Sequence, residues 1–330
     1  METNAKHTTR TSLGLDKNRA VEQIQTIYGT FVTVPGDVVS EQLRQYSAHT
    51  RNELAMLRSL LRANDVVLDI GAHIGTFAIP IAMACQRSVR VFAFEPQPDV
   101  YALLEQNVML NGLDAQISLS CGIVFDRPQS FQRVAHQGLP PRRRSVTGNT
   151  GSTVFVPTTE PGAPDHEGPQ VFVIDAMIRA GALPARIDLV KVDTEGAELS
   201  GLRSCTDLIG RELPVLYVEI NPTALQRFNT SVDDIDRFLQ TYGYHYFRNI
   251  GKRNSDNDSY RIARIRRLVE GGNFFDLLAV HPHDPRYPRS LETYNRLESR
   301  TRGVQPGQDR DGNERDRSPA SQSRSTATGT

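Results

Sequence analysis

Residues 66–77, Val-Val-Leu-Asp-Ile-Gly-Ala-His-Ile-Gly-Thr-Phe, restrict the fold more than any other stretch of this chain. Val66, Val67 and Leu68 form an apolar, partly β-branched run short enough for a strand buried on both faces. The run stops at a carboxylate, Asp69. Gly71, Ala72 and Gly75 follow, and then a helix-like apolar pattern begins at Phe77, Ile79, Ile81 and Ala82. Strand, glycine turn and helix in that order set backbone N–H groups and a helix N-terminus at the carboxyl edge of a parallel sheet. Open α/β sheets bind nucleotides there.

The spacing narrows the ligand. A dinucleotide fingerprint is Gly-x-Gly-x-x-Gly, whose glycines let the chain approach a pyrophosphate. Here the pattern is Asp-x-Gly-x-x-x-Gly, with an acid before the first glycine and two glycines in the turn. An anion so placed repels a diphosphate but suits an ammonium or sulfonium. A second acid, Glu95, ends the apolar run Val89–Phe94, 26 residues after Asp69, and is followed by Pro96. Acids at the end of a second strand commonly accept from ribose hydroxyls. The two together favour S-adenosyl-L-methionine over NAD. A ligand-free turn is the plain alternative, since Gly and Asp are ordinary turn residues.

The chain has 330 residues, enough for one large core or two modest ones. Lys+Arg and Asp+Glu are equal at 38 each, so total charge gives no reason to expect nucleic acid or a membrane surface as partner. Cys85, Cys121 and Cys205 are far apart and lack metal-ligand spacing, which is the pattern of free thiols in a reducing, cytoplasmic setting. Residues 1–17 lack an apolar signal-peptide core, and no stretch approaches the roughly 20 apolar residues of a membrane span.

In chain order, residues 1–20 are expected to be a disordered tail and 21–64 a strand and helix lead-in packing on the core. Tyr28–Val34 alternates as a strand does, and 38–62 carries helical spacing at Leu54, Leu57, Leu60 and Leu61. The main domain is expected over 65–285. A helix from Tyr101 stops at Asn111-Gly112, and Gln116–Ser120 makes a third strand. Residues 124–170 form a Pro- and Gly-rich insertion with a possible short strand at 153–156 and a basic triplet, Arg142–Arg144, which is read as a solvated loop. Val171–Ile174 reads as a strand and Asp175 as a cap on a small helix ending at Gly181. Further strands run over 187–192 and 213–220, with helices after each, and 244–250 with 274–280 makes a closing hairpin. Arg261, Arg264, Arg266 and Arg267 between them read as a solvated face. Residues 286–330, rich in Ser, Arg, Gly and Asp, read as a mostly disordered tail.

Three blocks, Leu68–Gly75, Ala93-Phe94-Glu95-Pro96 and Ile187–Glu198, resemble in order and spacing the FkbM family of S-adenosylmethionine-dependent methyltransferases. Asn107, Asn111 and Val218-Glu219 also resemble family positions. His73, where the family usually has Asn, and the long 124–170 insertion depart from it. The resemblance implies an α/β, Rossmann-like class I methyltransferase fold: a seven-stranded, mostly parallel sheet with an antiparallel last strand and helices on both faces. It also implies O-methylation of a small hydroxylated acceptor, a sugar or another secondary metabolite. A non-catalytic nucleotide-binding module on the same fold and, less favoured, an NAD-dependent oxidoreductase are the alternatives.

On this reading Asp69, Gly71, Ala72 and Gly75 hold the methionine end of the cofactor, and Glu95 with Pro96 the ribose. Asp193 leaves the fourth strand toward the cofactor and is the candidate base or substrate-orienting group. Lys191, two residues earlier, shares its strand face and either takes part in catalysis or makes a structural ion pair. Glu195, a further candidate catalytic residue, and Glu198 open the next helix, where an acid also suits the helix N-terminus, the favoured reading for Glu198. His73 is read as a packing residue. Asn149, Gly151 and Ser152 are candidate substrate contacts. No spacing calls for a metal, although Asp193, Glu195 and Glu219 are the set that would hold Mg²⁺.

Overall fold

A computed structural model describes residues 20–134, 154–158 and 168–288. Residues 1–19, 289–330 and most of the insertion, with Arg142–Arg144, Asn149, Gly151 and Ser152, lie outside the described residues.

The chain begins with a hairpin, β1 (Glu22–Thr26) and β2 (Gly29–Thr33), and two helices, α1 (Val38–Tyr46) and α2 (Arg51–Leu60). Residues 38–62, read as one helical stretch, are broken because Ser47 and Thr50 adopt left-handed backbone, with φ of 54° and 48°. Alternating strands and helices follow: β3 (Val66–Ile70), α3 (Ala78–Ala82), β4 (Arg90–Glu95), α4 (Pro98–Leu110) and β5 (Ile117–Cys121). The insertion carries β7 (Phe131–Val134) and β8 (Val154–Pro157), and its two ends are joined by β6 (Ile123–Val124) pairing with β9 (Val171–Phe172). Then come α5 (Ile174–Arg179), β10 (Leu189–Val192), α6 (Glu198–Arg203), α7 (Thr206–Glu212), β11 (Val215–Ile220), α8 (Pro222–Leu225), α9 (Val232–Thr241), β12 (His245–Asn249), β13 (Ile262–Ile265) and β14 (Phe275–Val280).

Among the described residues the main sheet has eight strands, in the order β13-β12-β14-β11-β10-β3-β4-β5. From β5 to β11 the strands are parallel, and β14 runs antiparallel between β11 and β12. The expected antiparallel last strand is therefore present, with β13 added at the edge to make eight where seven are implied. The basic run 261–267 forms this edge, with Arg261, Arg266 and Arg267 exposed, as the solvated-face reading expects. Ile262 and Ile265 pair with Asn249 and Tyr246, while Arg264 reaches His245 Nδ1 at 2.9 Å. A short edge strand carrying arginines discourages further pairing.

Strands β3 and β11 are buried at every residue, as expected of a sheet covered on both faces. One face packs α1 to α4 through Leu43, Leu54, Leu57, Ile79 and Leu104. The other packs α5, α6, α7 and α9 through Ile174, Leu199, Leu202, Leu208, Ile235 and Leu239. Asp175 does not cap α5, whose N-cap is Val173. Its carboxylate instead accepts from Asp207 N at 2.7 Å and Leu208 N at 3.0 Å, the free donors of the first turn of α7.

The hairpin is fastened to the core by α4. Asn107 and Asn111 lie one helical turn apart and face alternate residues of β2. Asn107 Oδ1 accepts from Val32 N at 2.6 Å and its Nδ2 donates to Val32 O at 3.1 Å and Ile74 O at 2.9 Å. Asn111 makes the same pair of bonds with Thr30 N at 3.0 Å and Thr30 O at 2.8 Å. The two amides thus satisfy the strand edge as a neighbouring strand would.

Candidate active site

The carboxyl edge of the parallel strands opens into a cavity of about 920 Å³, toward the upper end for ligand pockets. It is walled by Gly71, Ala72, His73, Glu95, Pro96 and Gln97 at the exits of β3 and β4, and by His49, Lys191, Asp193, Glu195, Tyr217, Glu219, Arg253 and Asp276. Ile123 at the start of β6, Phe131 and Phe155 of the insertion and Phe228 beside α8 also line it.

The glycine turn is built by close backbone approach. Gly71 has φ +84°, and a Cβ there would collide with the carbonyl oxygen of Asp193. Gly71 N and Ala72 N both donate to Phe94 O, at 3.0 and 2.9 Å, and Asp193 N to Ile70 O at 3.0 Å. The exits of β3, β4 and β10 are thereby pinned together. Glu95 closes the turn from the side: Oε2 accepts from His73 N and Oε1 from Gln97 N, both at 2.9 Å. Burial lifts the Glu95 carboxyl to about 7, against the pull of those N–H groups. Each oxygen retains a lone pair for a further donor.

Two expected cofactor contacts do not reach the cavity wall. Asp69 is fully buried one layer behind it, and Lys191 Nζ donates to Asp69 Oδ1 at 3.0 Å and to Gly71 O at 2.9 Å. A carboxylate neutralised by a buried ammonium is a support for the turn and not a free counter-ion for a ligand. Gly75 also faces inward, since a Cβ on it would press on Leu104 and Ile79. Its lack of a side chain serves the packing of α3 against α4.

Lys191 and Asp193 share a face as expected, with Nζ to Oδ2 at 3.6 Å. Burial opposes a charge on Lys191, but the carboxylates of Asp69 and Asp193 outweigh it and raise the ammonium above the ordinary lysine value. Glu195 has left-handed backbone, φ 58°, and faces Arg227 Nη1 at 3.7 Å. Burial and the neighbouring Asp193 raise its carboxyl to about 7. Glu198 works inside the turn. Its Oε1 accepts from Thr194 N and Gly196 N, each at 3.0 Å, which fixes the loop carrying Asp193 and Glu195.

Sequence reasoning missed the wall formed by the lead-in and the last strands. His49 Nδ1 lies 3.3 Å from Thr76 Oγ1, and burial together with Arg253, His73 and Lys191 lowers the imidazole to about 3, so it is neutral at pH 7. Tyr217 stacks on Phe77 at 6.5 Å between ring centroids, and its hydroxyl donates to Glu53 Oε2 at 3.2 Å. Arg253 pairs with Asp276 at 3.0 Å. The alternation Tyr217, Glu219 along β11 was the one local signal for this wall.

A model of the methyltransferase FkbM domain matches residues 69–246. The chain is 28% identical over 181 residues to the hexuronic acid methyltransferase AglP of Haloferax volcanii, an alignment covering 52% of this chain. The chain spans 63% of the length of that curated relative. Among solved structures it is similar to the methyltransferase FkbM of Methylobacillus flagellatus (17% identity, 74% of this chain and 49% of the other, TM-score 0.39). It is also similar to M. jannaschii TYW2 in complex with AdoMet (13% identity, 81% of this chain and 89% of the other, TM-score 0.40).

Proposed function

This chain belongs to the methyltransferase FkbM family, whose cofactor is S-adenosyl-L-methionine, and from that premise we propose that it methylates a hydroxyl of a small acceptor, a sugar or another secondary metabolite. One observation carries this reading: a single cavity joins the Gly71–Glu95 turn to a chamber walled by Asp193, Glu195 and Glu219. The residues present fit the cofactor. Backbone from Gly71 to His73 and the buried Glu95 line one end, with spare acceptor capacity toward hydroxyls, and the surplus of carboxylates suits a cation. Bound there, S-adenosyl-L-methionine supplies a methyl group activated by its positive sulfur.

The chain's own part is to orient, to desolvate and to move one proton. Asp193, 36% exposed at its side chain, is the group in this reading that accepts the proton of the attacking hydroxyl. Lys191 is a positioning residue that holds the Asp193 carboxylate at the exit of β10. Glu195, which titrates near neutral pH, passes the proton on to solvent. The aromatic rings of Phe131, Phe155 and Phe228 keep bulk water from the chamber. A neutral total charge, 38 basic against 38 acidic residues, supports a small acceptor over a nucleic acid. Unpaired Cys85, Cys121 and Cys205 support a reducing compartment, the cytoplasm. No helix among the described residues is long and apolar enough to cross a membrane.

The test uses S-adenosyl-L-methionine labelled in the methyl group and a panel of methyl glycosides and uronic acids. Alkali-stable label, as in a methyl ether, is expected. Alkali-labile label would place the methyl on a carboxylate and overturn the hydroxyl assignment. Asp193→Asn is expected to lower kcat by roughly 10²–10⁴-fold, while calorimetric affinity for S-adenosylhomocysteine changes far less.

A further inference from the structure

One buried acid in the chamber is left unused by this scheme. Glu219 is 8% exposed, lines the cavity, and has its Oε2 buried without a hydrogen-bond partner. It stands in a row of acids across three strands. Val192 and Val218 are registered partners on the parallel pair β10–β11, so Asp193 and Glu219 come next, side by side. Across β14, Glu219 is registered with Asp276. The nearby cations are already engaged, Lys191 with Asp69 and Asp193 and Arg253 with Asp276.

We propose that Glu219 is a neutral carboxylic acid that donates a hydrogen bond to the acceptor, and that with Asp193 it selects a vicinal diol. This rests on the hydroxyl-acceptor reading above and adds the substrate class to it. An acid out of water and beside other carboxylates keeps its proton: burial and the charges of Asp193, Glu195, Glu198 and Asp276 raise Glu219 to about 10. A neutral carboxyl has one O–H to donate, and a buried donor without a partner is destabilising until something supplies an acceptor. Asp193 next to it only accepts. Neighbouring strands lie about 4.8 Å apart, so the two carboxyls reach adjacent oxygens of one ligand. The attacked hydroxyl gives its proton to Asp193, and the oxygen on the next carbon receives the Glu219 O–H. An acid row of this kind also disfavours an anionic group at that second position.

The experiment uses the full chain, Glu219→Gln and Glu219→Ala. The probes are methyl glycosides with a vicinal diol and their analogues with one of those hydroxyls replaced by hydrogen. Glu219→Ala should raise KM for the diol at least tenfold with little change in S-adenosylhomocysteine affinity. Glu219→Gln, which keeps a donor of the same shape, should recover most of that loss. On the wild type the deoxy analogue should show the same tenfold loss, and Glu219→Ala should no longer tell the two probes apart. Equal damage from Gln and Ala, or a deoxy probe methylated as well as the diol, overturns the proposal. Infrared difference spectra of wild type against Glu219→Gln at about pH 8.5, above the values near 7 of Glu53, Glu95 and Glu195, supply a readout free of turnover. A neutral-carboxyl C=O band is expected in the wild type and lost in Glu219→Gln, and the absence of that difference also overturns the proposal. If the band is present while no hydroxylated probe is methylated, the hydroxyl-acceptor reading itself fails, and the diol assignment with it.

Discussion

At Gly71 three demands meet on one residue. The chain needs φ +84°, it needs no Cβ because the Asp193 carbonyl occupies that space, and it needs a free carbonyl oxygen to receive Lys191 Nζ. Alanine fails the first two. Left-handed backbone costs an L-residue roughly 1–2 kcal/mol, and forcing atoms into a filled space costs about 1–3 kcal/mol more. Gly71→Ala is therefore expected to lose about 2–5 kcal/mol, read as a lower urea midpoint, together with most of its affinity for S-adenosylhomocysteine. A midpoint within experimental error of the wild type would mean that the exits of β3 and β10 are not pinned as described. Gly75 shares the left-handed backbone, φ +93°, so alanine is strained there too, but its neighbours are the flexible ends of Leu104 and Ile79 and the added methyl does not meet the Asp193 carbonyl.

Between elements, the hairpin is attached to α4 by side-chain amides in addition to the apolar cluster of Val32 with Val100 and Leu103. Asn107 is fully buried and is the hydrogen-bond partner of both backbone groups of Val32 as well as of Ile74 O. Replacing it by Leu keeps the volume and strands those groups, at roughly 1–3 kcal/mol for a buried group left unsatisfied. Amide exchange at Thr30 and Val32 should then accelerate well ahead of exchange in β3 and β10, since the loss is local to the hairpin. Uniform acceleration across the sheet would show that the pair supports the whole fold instead. Helix α1, which follows the hairpin, lines the cavity through Val38 and Val39, so the same variant should also weaken ligand binding. The sequence shows Asn107 and Asn111 as a spaced pair but not what they face, because β2 lies more than seventy residues away along the chain.

For the whole molecule, what could be read from the sequence was what is local. The β3 strand, its glycine turn, Glu95 and the Lys191–Asp193 alternation follow from period and spacing, and each stands where those rules put it. His49, Arg253 and Asp276 could not be found that way, because each is solitary in its own segment: Asp276 reaches the site through the pairing of β14 with β11, and His49 and Arg253 through the connections α1–α2 and β12–β13. That gathering has a consequence for stability. Equal numbers of acids and bases hide a concentration of buried carboxyls at the site: burial raises Glu53, Glu95 and Glu195 to about 7 and Glu219 to about 10. A folded-state value above the unfolded one means that the native state holds the proton more tightly. The resulting stability is complete below the unfolded value of 4.5 and is lost as pH rises to about 7 for the first three groups, and on to about 10 for Glu219. His49 works in the opposite sense, its depressed value removing stability as pH falls below 6.5, but it is one group against four. Thermal melts should therefore give a higher Tm near pH 5 than near pH 8. Glu219→Gln, which cannot ionise, should fall less steeply over that range, the difference in slope being at most about 1.4 kcal/mol per pH unit. Parallel curves for the two proteins would mean that Glu219 is already ionised in the folded state, and a Tm that climbs from pH 5 to pH 8 would mean that the site's acids are solvated as surface carboxylates are.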